Sequence, residues 1–118
     1  MDNKRQLVRI NSGDFVSIEL SSEVGKVHQG KGQNFTLAGI CFSSDKEWQK
    51  GQVLLINYFI PEELDSVKLK MMVIWSEFID PEQGYFCGGE ITEVEEAKKN
   101  KFANYYFQKL QERFFKRE

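Results

Sequence analysis

The spacing of apolar residues changes once along this chain, and that change constrains the fold more than any other feature of the sequence. Up to residue 91, apolar residues recur within several short segments bounded by turn-forming residues, which is typical of short strands. After residue 92 the repeat lengthens to the roughly 3.6 residues of an amphipathic helix. We therefore predict a mainly β domain, a small antiparallel barrel of six strands over residues 15–91 followed by a C-terminal α-helix over 93–115.

Four segments are predicted as strands: FVSIEL (15–20), QVLLINYFI (52–60), VKLKMMVIW (67–75) and GYFCGGEI (84–91). The third alternates clearly, so one side of it should carry Val67, Leu69, Met71, Val73 and Trp75. NFTLAGICF (34–42) predicts a turn or bulge that leads into a further strand, and DPEQG (80–84) predicts a hairpin connection. The glycine-containing stretch 21–33 is predicted to be a loop.

The helix has its own start signal. Thr92 followed by Glu95 matches a capping box, so the helix should begin near Glu93 and end near Phe115. Its packing stripe is predicted to consist of Phe102, Ala103, Tyr106, Phe107, Leu110 and Phe114. Tyr105 and Phe115 project away from that stripe and are candidates for a partner or dimer surface.

Length and charge bound the function. A chain of 118 residues is most simply one domain. Sixteen basic and eighteen acidic residues give a net charge of −2, so no global field favours a nucleic-acid polymer or an anionic membrane, and any anion site must be local. We expect a cytoplasmic protein, because the sequence has neither an apolar run of about 20 residues nor the apolar core of a signal peptide.

Few residues suggest catalysis. His28 is the only histidine and stands in the predicted loop, where it is expected to be solvated. Cys41 and Cys87 lie in apolar segments and are expected to be reduced core residues, with one disulfide as the alternative. Established catalytic and metal-binding motifs are absent from the sequence. We expect a binding protein, not an enzyme, with neither a metal nor a cofactor.

The four arginines form two pairs with the same spacing, RQLVR (5–9) and RFFKR (113–117). The second pair ends the predicted helix, where basic side chains complement the helix dipole, and is interpreted as a solvated terminus. Arg5 and Arg9 stand on an N-terminal arm, residues 1–12, that precedes the first predicted strand. A guanidinium group matches phosphate oxygens and the O6/N7 edge of guanine, and it stacks on bases.

A second motif follows Arg9 by 25 positions: Asn34, Thr36 and Gly39 in the pattern Asn-x-Thr-x-x-Gly. Residues i and i+2 of a strand share a face, so Asn34 and Thr36 would present an amide and a hydroxyl side by side. Gly39 would permit a turn or a close backbone approach. The alternative is an ordinary turn into a core strand.

The two motifs together resemble the PilZ domain, the bacterial receptor for the second messenger cyclic di-GMP, whose pattern is RxxxR followed by [D/N]xSxxG. The resemblance extends over nearly the whole chain and implies a six-stranded barrel with a C-terminal helix. It implies that Arg5 and Arg9 clamp the phosphates and guanines, that Asn34 and Thr36 bind a guanine edge, and that Gly39 keeps the turn open. Lys4, just before the first arginine, is a possible additional ligand residue.

Two positions depart from the family pattern. Thr36 replaces the usual serine, which keeps the hydroxyl but adds a methyl group. Glu90 and Ile91 stand where family members often have Val-x-Phe, a difference expected to affect packing and not the site.

The resemblance also implies how the protein acts. Cyclic di-GMP would order the arm against the barrel, and the altered surface would signal to a protein partner in motility, secretion or polysaccharide machinery. The protein would be a monomer or a homodimer. Two alternatives remain open: a PilZ-like adaptor that does not bind the nucleotide, and a small-barrel binder of single-stranded nucleic acid.

Overall fold

The structure is a computed structural model that describes residues 7–115. Its strands are β1 (Ile10–Asn11), β2 (Phe15–Leu20), β3 (His28–Phe35), β4 (Gly39–Ser44), β5 (Val53–Ile60), β6 (Asp65–Asp80) and β7 (Gly84–Val94). One α-helix, α1 (Lys99–Phe115), follows them in this part of the chain. Short 3-10 turns occupy Pro61–Glu63 and Glu96–Lys98.

Six of the strands close into an antiparallel barrel. They follow the order β3-β2-β5-β6-β7-β4, and the pairing of β3 with β4 closes the ring. β1 is an extra short strand that pairs with the end of β3, placing Ile10 opposite Phe35 and Asn11 opposite Asn34. The predicted fold class, a small six-stranded barrel with a C-terminal helix, is confirmed.

Alternating side chains fill the barrel, as the period of two predicts. The inward positions of β2, β5 and β6 are almost fully buried: Val16, Ile18, Leu54, Ile56, Tyr58, Ile60, Val67, Leu69, Met71 and Val73. The alternation of β6 fails after Val73, where a bulge shifts its register against β7. Trp75 is therefore 42% exposed, and the prediction that it faces inward with Val73 is wrong.

Half of the predicted loop 21–33 is strand, because β3 begins at His28. Glycines predicted a loop here, but Gly30 and Gly32 lie within β3. A Cβ atom on Gly30 would lie 2.6 Å from the Ser43 carbonyl oxygen and 2.7 Å from the Ile18 side chain. Glycine here permits close strand packing and does not mark a turn. His28 lies on β3 with its ring edge-on to Trp48, at a centroid distance of 5.3 Å.

The predicted helix start at Glu93 is wrong, because β7 runs to Val94 and α1 begins at Lys99. Thr92 and Glu95 do not form a capping box. The Thr92 hydroxyl donates to the Lys70 carbonyl oxygen at 3.2 Å, and a Glu95 carboxylate oxygen accepts from the Lys68 backbone N–H at 3.1 Å. The capping signal is local, and the pairing of β7 with β6 overrides it.

The buried face of α1 also differs from the predicted stripe. Tyr105 is buried together with Phe102 and Tyr106, whereas Phe107 and Phe114 are about half exposed. The Tyr105 ring stacks on Phe35 at a centroid distance of 5.9 Å, so it is not the free surface residue that the helical wheel predicted. Phe115 is exposed as predicted.

Hydrogen bonds from tyrosine hydroxyls hold part of the N-terminal arm in place. The Tyr106 hydroxyl donates to the Val8 carbonyl oxygen at 2.6 Å. Asp14 accepts hydrogen bonds from the hydroxyls of Tyr58 at 2.8 Å and Tyr105 at 2.5 Å. Hydrogen bonds thus hold residues 8–14 against both the barrel and α1.

Both cysteines are buried and free, as predicted. Burial, together with the neighbouring Cys41, raises the pKa of the Cys87 thiol to about 12. The helix of the described chain is neither long nor apolar enough to span a bilayer.

Candidate functional site

One row of cross-strand neighbours runs over the outside of the barrel and joins four strands. Asn34 of β3 lies opposite Cys41 of β4, Cys41 lies opposite Gly88 of β7, and Gly88 lies opposite Trp75 of β6. Directly opposed residues of an antiparallel pair share a face. The row is therefore a shallow trough, with small residues in the middle, an amide at one end and an indole at the other.

The bulge in β6 and the glycine in β7 together place the indole. The bulge lets Trp75 face outward although Val73, two residues earlier, faces the core. A Cβ atom on Gly88 would overlap the Trp75 ring. Glycine at this position therefore allows the indole to lie across the backbone of β7.

Arg9 closes the other end of the trough. Its Nη1 donates a hydrogen bond of 2.8 Å to the side-chain oxygen of Asn34, and its own side chain is exposed. Burial raises the pKa of the Cys41 thiol, while the positive charge of Arg9 acts in the opposite direction. The guanidinium thus sits close to the trough floor, with further N–H donors beyond the one bound to Asn34.

The Thr36 side chain organises the turn that follows β3. Its hydroxyl oxygen accepts hydrogen bonds from the backbone N–H groups of Ala38 at 3.0 Å and Gly39 at 3.1 Å. Thr36 is 6% exposed, so its oxygen serves the turn first and its hydroxyl hydrogen is what it can offer a ligand. A Cβ atom on Gly39 would lie 3.0 Å from the Gly89 carbonyl oxygen, which agrees with the close backbone approach predicted there.

Arg9, Thr36, Gly39 and Trp75 border one cavity beside the trough. It has a volume of about 190 Å³ and is lined by Leu7, Arg9, Thr36, Ala38, Gly39, Ile74, Trp75, Gly89 and Glu90. Pockets that enclose a drug-sized ligand measure roughly 300–1,000 Å³. The cavity is therefore suited to part of a larger ligand, such as one base, with the remainder lying over the trough.

The structure thus brings together four of the residues predicted from sequence: Arg9, Asn34, Thr36 and Gly39. Arg5 and Lys4 lie outside the described residues. Sequence reasoning missed Trp75 and Glu90, both of which line the cavity. The available signal in the sequence was a tryptophan in the predicted strand that precedes the strand with Gly88 and Gly89. Strict alternation instead assigned Trp75 to the core. Glu90, which the sequence analysis expected to affect packing, lies in the lining of this cavity.

A larger cavity of about 550 Å³ lies between β6, β7 and the turn before α1, and its lining includes Leu37, Lys70 and Glu93. The four predicted ligand residues within 7–115, namely Arg9, Asn34, Thr36 and Gly39, do not border it. Size alone therefore does not identify the site. Within residues 7–115, His, Cys, Asp and Glu side chains form no group of three suited to a metal ion.

The chain is similar to solved structures that differ from it widely in sequence. Over 93% of its length it superposes on the inhibitor of motility MotI/DgrA of Bacillus subtilis, with a TM-score of 0.74 and 19% identity, and it spans about half, 53%, of that protein. It superposes equally far on the PilZ domain of YcgR from Escherichia coli, determined with c-di-GMP, with a TM-score of 0.68, 13% identity and 94% of that chain covered. Neither a protein-family model nor a curated protein sequence matches. The chain therefore has the PilZ-domain fold.

Proposed function

We propose that this protein binds cyclic di-GMP in the trough between Asn34 and Trp75. The observation that carries the proposal is the 2.8 Å contact between Arg9 and Asn34. It joins an arm arginine to a barrel amide beside a cavity of one-base size. Two motifs that are 25 residues apart in sequence thereby form one surface.

Each residue around the trough has a role in the proposed binding. A guanine enters the cavity and stacks on Trp75, an interaction worth about 1–3 kcal/mol per base. Asn34 and the free donors of Arg9 bind a guanine edge or a phosphate oxygen. Glu90 lines the same cavity, and its carboxylate accepts hydrogen bonds from the guanine N–H groups. Arg5 approaches from the arm and contributes a second guanidinium, as the family pattern implies.

The signal passes through the arm. Because residues 8–14 are already fastened to the barrel and α1, we propose that ligand binding acts on the residues before Leu7, which carry Lys4 and Arg5. The surface they form with the nucleotide is then recognised by a cytoplasmic protein partner. The named function of the Bacillus subtilis neighbour, inhibition of motility, supports a partner in motility.

Isothermal titration calorimetry with cyclic di-GMP tests the proposal. Wild type should bind, and Arg5→Ala, Arg9→Ala and Asn34→Ala should each weaken binding by about 1–3 kcal/mol. Cyclic di-AMP, which carries the same phosphates, should bind far more weakly because adenine lacks the guanine edge. Lys26→Ala, in an exposed loop away from the trough, serves as the matched control.

Wild-type protein that binds neither dinucleotide would overturn the proposal and leave the adaptor and the binder of single-stranded nucleic acid as the remaining functions. Equal affinity in wild type and Arg9→Ala would remove Arg9 from the site. Equal affinity for the two dinucleotides would contradict recognition of guanine.

A further inference from the structure

The hairpin of β6 and β7 extends past the barrel, and one of its edges faces no other strand within the described chain. β5 pairs with β6 only as far as Val53 opposite Met72. The last hydrogen bonds on that side join Val73 to Gly51 at 2.8 Å and to Gln52 at 2.9 Å. Beyond this point, up to Asp80, β6 pairs with β7 alone. Such an edge presents backbone N–H and C=O groups to another extended chain.

Apolar side chains accompany this open edge. Phe78 is 54% exposed and Ile79 is 38% exposed, and the Phe78 ring packs edge-on against Tyr85 at a centroid distance of 5.4 Å. Directly opposed residues share a face, and Glu77 lies opposite Phe86, Phe78 opposite Tyr85 and Asp80 opposite Gly84, with a register shift between Phe78 and Asp80. The hairpin therefore offers an apolar contact at Phe78 on one face and the carboxylates of Glu77 and Asp80 on the other.

Charge restricts what can bind there. The hairpin sequence SEFIDPEQGYF (76–86) contains Glu77, Asp80 and Glu82 and not one lysine, arginine or histidine. Hydrogen bonds from Gln83 hold the pKa of Asp80 below its ordinary value, so this carboxylate stays ionised at neutral pH. The hairpin surface is anionic, although the whole chain carries a net charge of only −2.

The same charges disfavour a second copy of this chain. A twofold pairing of β6 with itself would bring the Glu77 carboxylates of the two copies close together and double the negative charge of the sheet. Like charges facing each other across strands are destabilising, and acidic side chains on an edge are a recognised means of preventing self-association. A basic partner gains from these charges.

We propose that the open edge of β6 binds an extended segment of a partner protein by strand addition, and that this segment alternates lysine or arginine with aliphatic residues. Its backbone pairs with β6 beyond Trp75, its cations lie beside Glu77 and Asp80, and its apolar side chains contact Phe78 on the opposite face. Backbone hydrogen bonds supply affinity in this mode and side chains supply selectivity. The inference goes beyond nucleotide binding, because it uses a different surface and requires no ligand.

The test uses synthetic octapeptides and the full-length protein without nucleotide. The probe alternates lysine with valine. One control peptide replaces every lysine by glutamate, and another carries N-methyl groups on all of its lysines and valines, which removes the N–H donors from both of its edges. Fluorescence anisotropy measures affinity, and amide chemical shifts from NMR locate the contact. The protein variants are Glu77→Lys and, as a matched control, Glu96→Lys, whose side chain is 89% exposed at the other end of β7.

We expect the lysine peptide to shift amide signals of residues 76–80 and to bind Glu77→Lys up to about fivefold more weakly, with Glu96→Lys unchanged. The glutamate and N-methylated peptides should bind poorly. Shifts confined to other residues, full affinity of the N-methylated peptide, or equal affinity for wild type and Glu77→Lys would overturn the inference. So would dimerisation through this edge in sedimentation experiments. Since no dinucleotide is present, failure here is separate from failure of the proposed function.

Discussion

Arg113 Nη1 donates a hydrogen bond of 2.7 Å to the carbonyl oxygen of Arg9, so an arginine near each end of the chain meets the other beside the candidate site. The adjacent carbonyl, that of Val8, accepts from Tyr106 at 2.6 Å. Both bonds hold the backbone just before β1. The Arg9 side chain therefore extends toward Asn34 from a backbone that is held in place. α1 thus positions Arg9, although Arg9 lies outside the helix.

The first prediction concerns this bond. The sequence alone predicts that Arg113→Ala leaves ligand binding unchanged, because Arg113 is interpreted as part of a solvated helix end. The structure predicts an affinity for cyclic di-GMP lower by about two- to twelvefold, since a hydrogen bond contributes about 0.5–1.5 kcal/mol. Calorimetry measures this, with Lys99→Ala, an exposed cation of the same helix, as control. Equal affinity in the wild type and Arg113→Ala would show that the bond does not position Arg9.

The second prediction concerns the wall of the trough. Gly88→Ala places a methyl group where the Trp75 ring lies, so the indole must move or the strands must separate. We expect a loss of about 1–3 kcal/mol in the free energy of unfolding and weaker binding of cyclic di-GMP. Urea unfolding and calorimetry measure the two effects.

Gly13→Ala is the matched control for that substitution, because the added Cβ meets only the Lys31 side chain at 3.4 Å. If Gly88→Ala has the stability and the affinity of the wild type, the position of the indole contributes neither to folding stability nor to binding of cyclic di-GMP.

The third prediction concerns the turn after β3. Thr36→Val removes the oxygen that accepts from Ala38 and Gly39 and leaves partly buried N–H groups without a partner, which costs about 1–3 kcal/mol of folding stability. Thr36→Ser should retain most of that stability. Urea unfolding compares both with Thr92→Val, which removes an exposed hydroxyl. A Thr36→Val protein as stable as Thr36→Ser would contradict this role.

The fourth prediction concerns pH. Hydrogen bonds from Lys101 at 2.8 Å and Lys98 at 2.9 Å hold the pKa of Asp65 well below its ordinary value. Because the folded pKa is the lower one, this contribution to stability is fully present above about pH 4, the usual value for aspartate. It is lost as pH falls toward the folded pKa.

Asp65→Asn should therefore lower the melting temperature at pH 7 and flatten its decline between about pH 4 and pH 2. Calorimetric scans over that range measure the effect, and Asp45→Asn, at another exposed aspartate, is the control. Parallel curves for wild type and Asp65→Asn would exclude a contribution from this ion pair.

The sequence alone determined the architecture. Alternation in VKLKMMVIW is a local property that survives in the fold as far as Val73, and it led to a barrel strand with the correct inward residues Val67, Leu69 and Met71. The motif residues Arg9, Asn34, Thr36 and Gly39 were also identified from sequence, because their residue types and spacing match a known ligand chemistry.

Tertiary structure decided what depends on a neighbouring strand or helix. The bulge after Val73 turned Trp75 outward, continued pairing with β6 kept Thr92 and Glu95 in strand geometry, and Phe35 drew Tyr105 into the core. The bond between Arg113 and Arg9 joins residues 104 positions apart. Periodicity describes how a chain relates to itself over a few residues, whereas such contacts form only when distant segments compete for the same space and hydrogen-bonding partners.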